Sequence, residues 1–177
     1  MLKFFLVLSN PCHLRLSFSI IAAVFIQSTT AQPLMQPNIS LTQARKIVDA
    51  VIARCSEPRE LVTVSVAVVD RAGQPVMQVH ADTDSPYNLE LAYRKAYTAR
   101  TFRRTSLEWQ DRTAGDSESA GWRLLTDVIP LGGGVPVMMG DRPLGGVGVT
   151  GSPGGQEGDN ACAEAGVAAI AEELKGD

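Results

Sequence analysis

Glycine in the last third of this sequence lies inside segments that otherwise have the composition of β-strands. Eleven of the 16 glycines fall between Gly132 and Gly158, around the strand candidates VPVMM and RPLGGVGVT. A glycine within a strand weakens it and usually marks a bulge or the close approach of another backbone or a ligand. The segment therefore predicts a strand that another element crosses closely, and the small-residue helix that follows it is the expected neighbour.

Three of these glycines, Gly146, Gly148 and Gly151, have the G-x-G-x-x-G spacing of a dinucleotide-binding loop. Such a loop follows a strand, opens a helix and belongs to a βαβ unit with an acidic residue about 20 residues further on. Here the glycines lie within the strand itself, and a single helical pattern follows them. We therefore predict no nucleotide cofactor, and we expect Gly151 and the loop after it to border a ligand pocket.

Hydrophobic periodicity predicts an α+β fold with an antiparallel sheet. Apolar residues recur at helical spacing from Leu41 to Cys55, with Ser40 as the N-cap, and two alternating segments joined by RAGQ predict a hairpin. Strands that follow one another through tight turns favour this class over alternating βαβ units. The predicted order is helix 41–55, strands 62–70 and 75–80, helix 89–104, helical turns 107–111 and 120–125, strands 127–130, 135–139 and 142–150, and helix 157–174.

The N-terminal residues 1–31 have the pattern of an export signal. The apolar segment from Phe18 to Ile26 is shorter than the roughly 20 residues that span a bilayer, and small residues follow it at a cleavage site near Ala31. We therefore expect a periplasmic or secreted protein that has no membrane segment once the signal is removed. A short linker, residues 32–40, precedes one domain, residues 41–175, whose length suits a single hydrophobic core.

The charge of the chain excludes two classes of partner. The formal net charge is −3, and removing Lys3 and Arg15 with the signal lowers it to −5, because residues 1–31 contain no Asp or Glu. A mildly acidic chain lacks the electrostatic footprint of a protein that binds nucleic acid or an anionic lipid surface. We therefore expect a small-molecule ligand.

Two of the three cysteines remain after signal removal, because Cys12 lies within the signal. Cys55 and Cys162 are then together in one small domain in an oxidising compartment, which favours a disulfide. Two buried thiols that act as small hydrophobic residues are the alternative.

Histidine is too scarce for most catalytic or zinc sites. His80 is the single histidine of the expected mature chain, which excludes a multi-histidine zinc site and makes a Ser-His-Asp triad depend on that one residue. No G-x-S-x-G nucleophile motif occurs. The residues therefore indicate no acid, base or nucleophile constellation, and we expect a protein without an enzymatic activity of its own.

Basic residues concentrate on and after one predicted helix, from Tyr93 to Arg104. Lysine and arginine supply charge-assisted donors to carboxylates, so this helix is a candidate clamp for an acidic ligand. A solvated helix face is the alternative. Lys95 has a distinct position because it lies beside Ala96 on the apolar side of the helix, so we expect its stem to be partly covered and its amine to be directed into a cleft.

Taken together, these segments resemble the GlcG/HbpS-like family of small haem-binding proteins. The motifs that carry the resemblance are SVAVVDRAGQPV, AYRKAYTARTF, LGGGVPV and PLGGVGVTGSPGGQEGDNACAEAG, in the family's order and spacing. They cover about Leu41 to Leu174. The residues that match the family's hallmarks are Asp70, Gly73, Lys95, Thr98, Gly133, Gly134, Pro136, Gly148 and Gly151.

The resemblance implies an α+β fold similar to profilin and PAS domains. A five-stranded antiparallel sheet would carry the N- and C-terminal helices on one face, which brings Cys55 and Cys162 near each other and favours their disulfide. Members of this family tend to form homo-oligomers, and some bind haem or have been linked to its degradation. We therefore expect haem as a cofactor or cargo and a homo-oligomer as the assembly.

The leading hypothesis is an exported protein that binds haem or a similar tetrapyrrole without catalysis. Two alternatives stay open: an accessory or sensor domain for a small organic acid such as a hydroxy acid, and a haem-degrading enzyme. His80 is the candidate axial ligand, with Met77, Met138, Met139, Tyr93 and Tyr97 as further chemical possibilities. The candidate ligand-binding residues are Lys95, Tyr97, Thr98, Gly133, Gly134 and Gly151.

Overall fold

The computed structural model describes residues 31–56 and 61–175. The chain forms two compact units, Met1–Met35 and Gln36–Asp177. Residues 31–35, the described part of the first unit, have no regular secondary structure. Apart from Ala31, the predicted export signal lies outside the described residues.

The second unit contains all the helices and strands described here. Their order follows the sequence prediction closely, with two short 3-10 turns between and after the main elements. The elements are α1 Leu41–Cys55, β1 Ser65–Asp70, β2 Pro75–Val79, α2 Asn88–Phe102, α3 Ser106–Arg112, a 3-10 turn Ala120–Leu124, β3 Gly134–Met139, β4 Arg142–Thr150, α4 Gly155–Ala168 and a 3-10 turn Ala171–Leu174. Within the described ranges, no helix is long and apolar enough to cross a membrane.

The four strands pair in the order β2-β1-β4-β3, and every pair is antiparallel. The α+β class is confirmed, whereas the five-strand count and the profilin- and PAS-like assignment are not. The fifth strand expected at residues 127–130 lies outside the sheet and docks on α2. There the Ile129 amide donates to Thr98 Oγ1 at 2.9 Å and Arg94 Nη2 donates to the Val128 carbonyl at 2.9 Å, so this backbone is satisfied without a strand partner.

The main hydrophobic core lies between one face of the sheet and the helices α1 and α4. Helix α1 begins at a capping box in which Ser40 and Gln43 exchange hydrogen bonds, as the Ser40 N-cap prediction required. Its apolar stripe and α4 pack on the alternate strand residues that point to this face. The central members are Ile47, Val48, Val51, Val66, Val68, Val137, Val147, Val149, Cys162 and Ala163.

Helix α2 covers the opposite face of the sheet, directly over the strand glycines. A Cβ atom at Gly146 would overlap the Ala96 carbonyl oxygen, and one at Gly148 would overlap the Ala92 carbonyl oxygen. The prediction that the final helix crosses these glycines is therefore wrong. Strand alternation is the physical reason, because Val147 and its partners point to α4 and the glycines point the other way.

A disulfide joins Cys55 at the end of α1 to Cys162 in α4, with the two Cα atoms 6.0 Å apart. The bond links the two helices that share the main core. The two cysteines are 107 residues apart in sequence. A cross-link between residues so far apart removes much conformational entropy from the unfolded chain.

Removing this disulfide by the double substitution Cys55→Ser and Cys162→Ser should lower the free energy of unfolding by about 4 kcal/mol, because the unfolded chain gains freedom. Urea unfolding of the native protein and of the double variant, both under oxidising conditions, measures the loss. Adding a reductant should shift the midpoint of the native sequence and leave that of the double variant unchanged. Equal midpoints for the two proteins under oxidising conditions would contradict the prediction.

Candidate functional site

Lys95 lies on the sheet-facing side of α2, and its residue is 3% exposed. Its ammonium donates to Asp159 Oδ2 in α4 at 2.7 Å and to the Val149 carbonyl at 3.0 Å. Gly133 makes room for this contact, since a Cβ there would lie 2.7 Å from Asp159 Cβ and 3.0 Å from the amine. The lysine therefore connects helices on opposite faces of the sheet.

Asp159 completes the network on the other side of the ion pair. Its Oδ1 accepts hydrogen bonds from the Ser152 amide at 2.9 Å and from the Ser152 hydroxyl at 2.7 Å. Burial lowers the pKa of Lys95, and the charge and hydrogen bond of Asp159 oppose that shift. The expectation that the amine of Lys95 is directed into a cleft is wrong, because an internal carboxylate holds it instead.

The other predicted binding residues lie apart from this ion pair or serve the backbone. Thr98 Oγ1 donates to the Arg94 carbonyl at 2.8 Å, and the Gly134 amide donates to Ser106 Oγ at 2.7 Å. Tyr97 packs against the turn glycine of the β1–β2 hairpin. The structure thus brings Lys95, Gly133 and Gly134 together, since a Cβ at Gly134 would overlap the Lys95 carbonyl oxygen, and it leaves Tyr97, Thr98 and Gly151 in separate contacts.

Gly151 has a positive φ of 99° and lies against the Asp84 carboxylate. The loop after it borders a cavity of about 250 Å³ beside the disulfide. Ser152 and Pro153 of that loop line the cavity, and Gly151 itself does not. The cavity is lined by Arg54, Cys55, Ser152, Pro153, Gly158, Ala161 and Cys162.

The candidate iron ligands lie on several elements, namely β2 and the residue after it, α2 and β3, and two of them, Tyr93 and Tyr97, have ring centroids 6.0 Å apart. His80 is exposed after β2, with Nδ1 2.7 Å from the Ala81 carbonyl oxygen. Met77 and Met139 pack against the main core. Burial and the nearby Asp127 carboxylate raise the pKa of Tyr93, which disfavours the phenolate that binds iron. Among the described residues, no three His, Cys, Asp or Glu side chains form a group that could hold a metal ion.

A second cavity of about 170 Å³ opens where α2 ends, and we call it the aromatic–arginine pocket. It is lined by Phe102, Arg104, Trp109, Arg112, Ser119 and Trp122. The rings of Phe102 and Trp109 are stacked, with centroids 3.5 Å apart and an interplanar angle of 11°. The Trp122 centroid lies 5.6 Å from that of Phe102 and 6.1 Å from that of Trp109.

Local backbone chemistry explains how this pocket forms. Helix α2 ends as Arg103 takes a left-handed conformation with φ of 54°, which turns the chain sharply. A capping box between Thr105 and Glu108 then starts α3, which returns Trp109 onto Phe102. Hydrophobic periodicity did not predict this cluster, although two tryptophans near a basic helix end were an available signal.

The polar groups around this pocket are incompletely satisfied. Arg104 Nε and Trp109 Nε1 are buried without a hydrogen-bond partner among the described residues, although Trp109 is only 3% exposed. Arg123, in contrast, donates to Thr113 Oγ1 and to the Gln110 carbonyl. Burial and the positive charges of Arg71 and Arg103 lower the pKa of nearby Arg100. Positive charge therefore accumulates at this end of α2.

The family model described as "Haem degrading protein HbpS-like" matches residues 39–168. The chain belongs to the HbpS-like family. A solved double mutant of HbpS from Streptomyces reticuli is 29% identical, with a TM-score of 0.69, and the match covers 80% of this chain and 98% of HbpS.

Two further relatives are similar to this chain. A solved complex titled PduOC:Heme is 26% identical, with a TM-score of 0.65, and the match covers 75% of this chain and 95% of PduOC. An uncharacterized 15.0 kDa protein in the dhaT-dhaS intergenic region of Citrobacter freundii is 30% identical over 116 residues. That match covers 64% of this chain and 80% of the relative.

Proposed function

We propose that the protein binds haem or a similar tetrapyrrole after export to the periplasm or the exterior, without catalysing a reaction on it. The observation that carries this proposal is membership of the HbpS-like family over residues 39–168. A solved relative, PduOC, is titled as a haem complex. We also propose that the protein forms a homo-oligomer.

The charges of the structure favour an acidic ligand of this kind. In the ranges 31–56 and 61–175, no ion pair involves Arg100, Arg103, Arg104 or Arg112, although each lies near the end of α2 or in α3. Arginine binds carboxylates through paired hydrogen bonds, and haem carries two propionates. These arginines would supply donors for the carboxylates of haem, which would supply the iron chemistry when bound, whereas the aromatic–arginine pocket beside them has no iron ligand in its lining.

The two alternative functions have less support from the geometry. A small organic acid was expected to bind the amine of Lys95, but that amine has Asp159 as an internal partner. Haem degradation would need electrons from a reductant, so absorption spectra of bound haem with and without ascorbate test it. A stable haem spectrum supports simple binding, and loss of the haem absorption would show turnover.

Adding haem to the purified protein should produce a Soret band shifted from that of free haem, with saturation at a fixed ratio of haem to chain. The physical reason is that haem leaves water for an aromatic and cationic site. An exposed-surface variant, Arg45→Gln in α1, serves as a matched control and should bind as the native sequence does. An unchanged free-haem spectrum with the native protein would overturn the proposed function.

A further inference from the structure

The disulfide between Cys55 and Cys162 lies between the main core and a cavity that opens to the solvent. Both cysteines line this cavity of about 250 Å³, together with residues of α1, of α4 and of the loop before α4. Thiol–disulfide exchange requires that a thiolate reach one of the two sulfur atoms. The cavity provides a route to the disulfide that does not pass through the main core.

The two cysteines differ in exposure. Cys162 is 4% exposed and belongs to the main core, whereas Cys55 is only partly buried and is the last residue of α1. Because access decides which sulfur of a disulfide is attacked, a thiolate in the cavity reaches Cys55 Sγ more readily than Cys162 Sγ. Cys162 Sγ is then the leaving group.

Arg54 gives the cavity a positive charge. Its side chain lines the cavity beside Cys55, and within residues 31–56 and 61–175 no ion pair involves it. A guanidinium binds carboxylates through charge-assisted hydrogen bonds. The rest of the lining is uncharged and consists of Ser152, Pro153, Gly158 and Ala161, besides the two cysteines. A thiol that carries a carboxylate therefore fits the cavity better than one that carries an amine.

The size of the cavity limits the reactant to a small molecule. Its volume of about 250 Å³ lies below the range of about 300–1,000 Å³ that is typical of pockets for drug-sized ligands. Ala161 is exposed on α4 and contributes to the lining with a single methyl group. A longer side chain at this position would occupy space that the thiol needs.

The helices around the cavity have contacts that do not depend on the disulfide. Asp159, three residues before Cys162, pairs with Lys95 at 2.7 Å and accepts two hydrogen bonds from Ser152 on the cavity wall. Apolar residues of α1 and α4 also pack together in the main core. Opening of the disulfide therefore leaves α4 in place, and the exchange can run in the folded protein.

We infer that the cavity beside the disulfide is a thiol-exchange site for a small thiol that carries a carboxylate. The thiolate sulfur forms a bond to Cys55 Sγ, the bond between the two cysteines breaks, and its electron pair leaves on Cys162 Sγ, which takes a proton from water. A second thiolate then attacks the small-molecule sulfur of the mixed disulfide and releases Cys55, which is also protonated. Two thiols become one disulfide, and the protein disulfide gains two electrons. The exchange is independent of haem binding.

Reaction of the folded full chain with 3-mercaptopropionate and with cysteamine tests this inference, because these thiols are similar in size and carry opposite charges. Samples are quenched with acid, and mass spectrometry measures the rate at equal thiolate concentration and locates the mixed disulfide. We expect the adduct on Cys55. Arg54→Gln should slow the reaction with 3-mercaptopropionate about threefold and should not slow that with cysteamine. Arg45→Gln, also exposed in α1 but outside the cavity, is the matched control.

Filling the cavity tests the route of access. Ala161→Leu should slow the exchange with either thiol by about tenfold or more, because the side chain blocks the approach to Cys55. Ala168→Leu is the matched control, since Ala168 is exposed on the same helix and is not part of the lining. Far-UV circular dichroism establishes that both variants are folded. If Ala161→Leu does not fold, the Arg54→Gln comparison and a series of low urea concentrations decide the question.

Several results would overturn the inference. Exchange through the cavity should keep the same rate in urea far below the unfolding midpoint, whereas a rate that rises with the unfolded fraction would show that the disulfide reacts only after unfolding. An adduct mainly on Cys162, or equal rates for Ala161→Leu and Ala168→Leu, would exclude the proposed route. An equal effect of Arg54→Gln on both thiols would remove the preference for a carboxylate. None of these results alters the haem titration, which tests the proposed function separately.

Discussion

Replacing Gly148 by alanine should destabilise the domain by about 4 kcal/mol or prevent it from folding. A Cβ at this position would overlap the Ala92 carbonyl oxygen and lie 2.7 Å from the Ala96 amide nitrogen. Both neighbours are backbone atoms of α2, so no flexible side chain can move aside. The steric overlap is relieved only when the whole helix shifts away from the sheet. That shift opens the layer that buries Ala92, Ala96 and Ala99.

Urea unfolding of Gly148→Ala measures this effect, with Gly121→Ala as the matched control. A Cβ at Gly121 meets nothing within 4 Å, and its backbone is not in the left-handed region. The same chemical change there should alter the free energy of unfolding by about 0.5 kcal/mol or less. Similar unfolding midpoints for the two variants would show that α2 does not lie on β4 as described.

Replacing Lys95 by methionine should lower the free energy of unfolding by about 3–5 kcal/mol. The substitution keeps a long side chain but leaves the Asp159 carboxylate, 7% exposed, without its cation. A buried charge without a partner is far more costly than an unmade surface contact. Thermal unfolding followed by circular dichroism measures the loss, and the added substitution Asp159→Asn should recover part of it because the charge is removed.

The surface ion pair between Lys46 and Glu173 provides the control for Lys95. Its side chains are 52% and 35% exposed, so water and salt screen the attraction. Lys46→Met should therefore cost about 1 kcal/mol or less. If Lys46→Met and Lys95→Met destabilise the protein equally, the Lys95 ion pair is not the interior connection that the structure describes.

Local periodicity was sufficient to predict most of the secondary structure. Helix α1 spans residues 41–55 in both the prediction and the structure, because its apolar stripe and its capping box are both local signals. The face of each strand was also readable, since valine and glycine alternate along β4. The helix that covers the glycine face could not be predicted, because its position depends on the path of the chain between distant segments.

The candidate site was harder to predict from the sequence than the secondary structure, because its residues meet only through tertiary contacts. Lys95 was singled out correctly as a covered lysine, but its partner Asp159 lies 64 residues away in sequence, and no local pattern connects the two residues. The aromatic–arginine pocket is built from Phe102, Trp109 and Trp122, which the left-handed turn at Arg103 and two short helices bring together. No periodic pattern encodes such an arrangement.

The stacked cluster also governs what can be learned from the intrinsic fluorescence of this protein. The chain has two tryptophans, Trp109 and Trp122, and both lie in the aromatic–arginine pocket. Their emission therefore reports on α3 and the following turn, and it is insensitive to the layer between α1, α4 and the sheet. A denaturation curve recorded by tryptophan emission alone would follow this corner of the molecule, and comparison with far-UV circular dichroism would reveal whether it opens before the core.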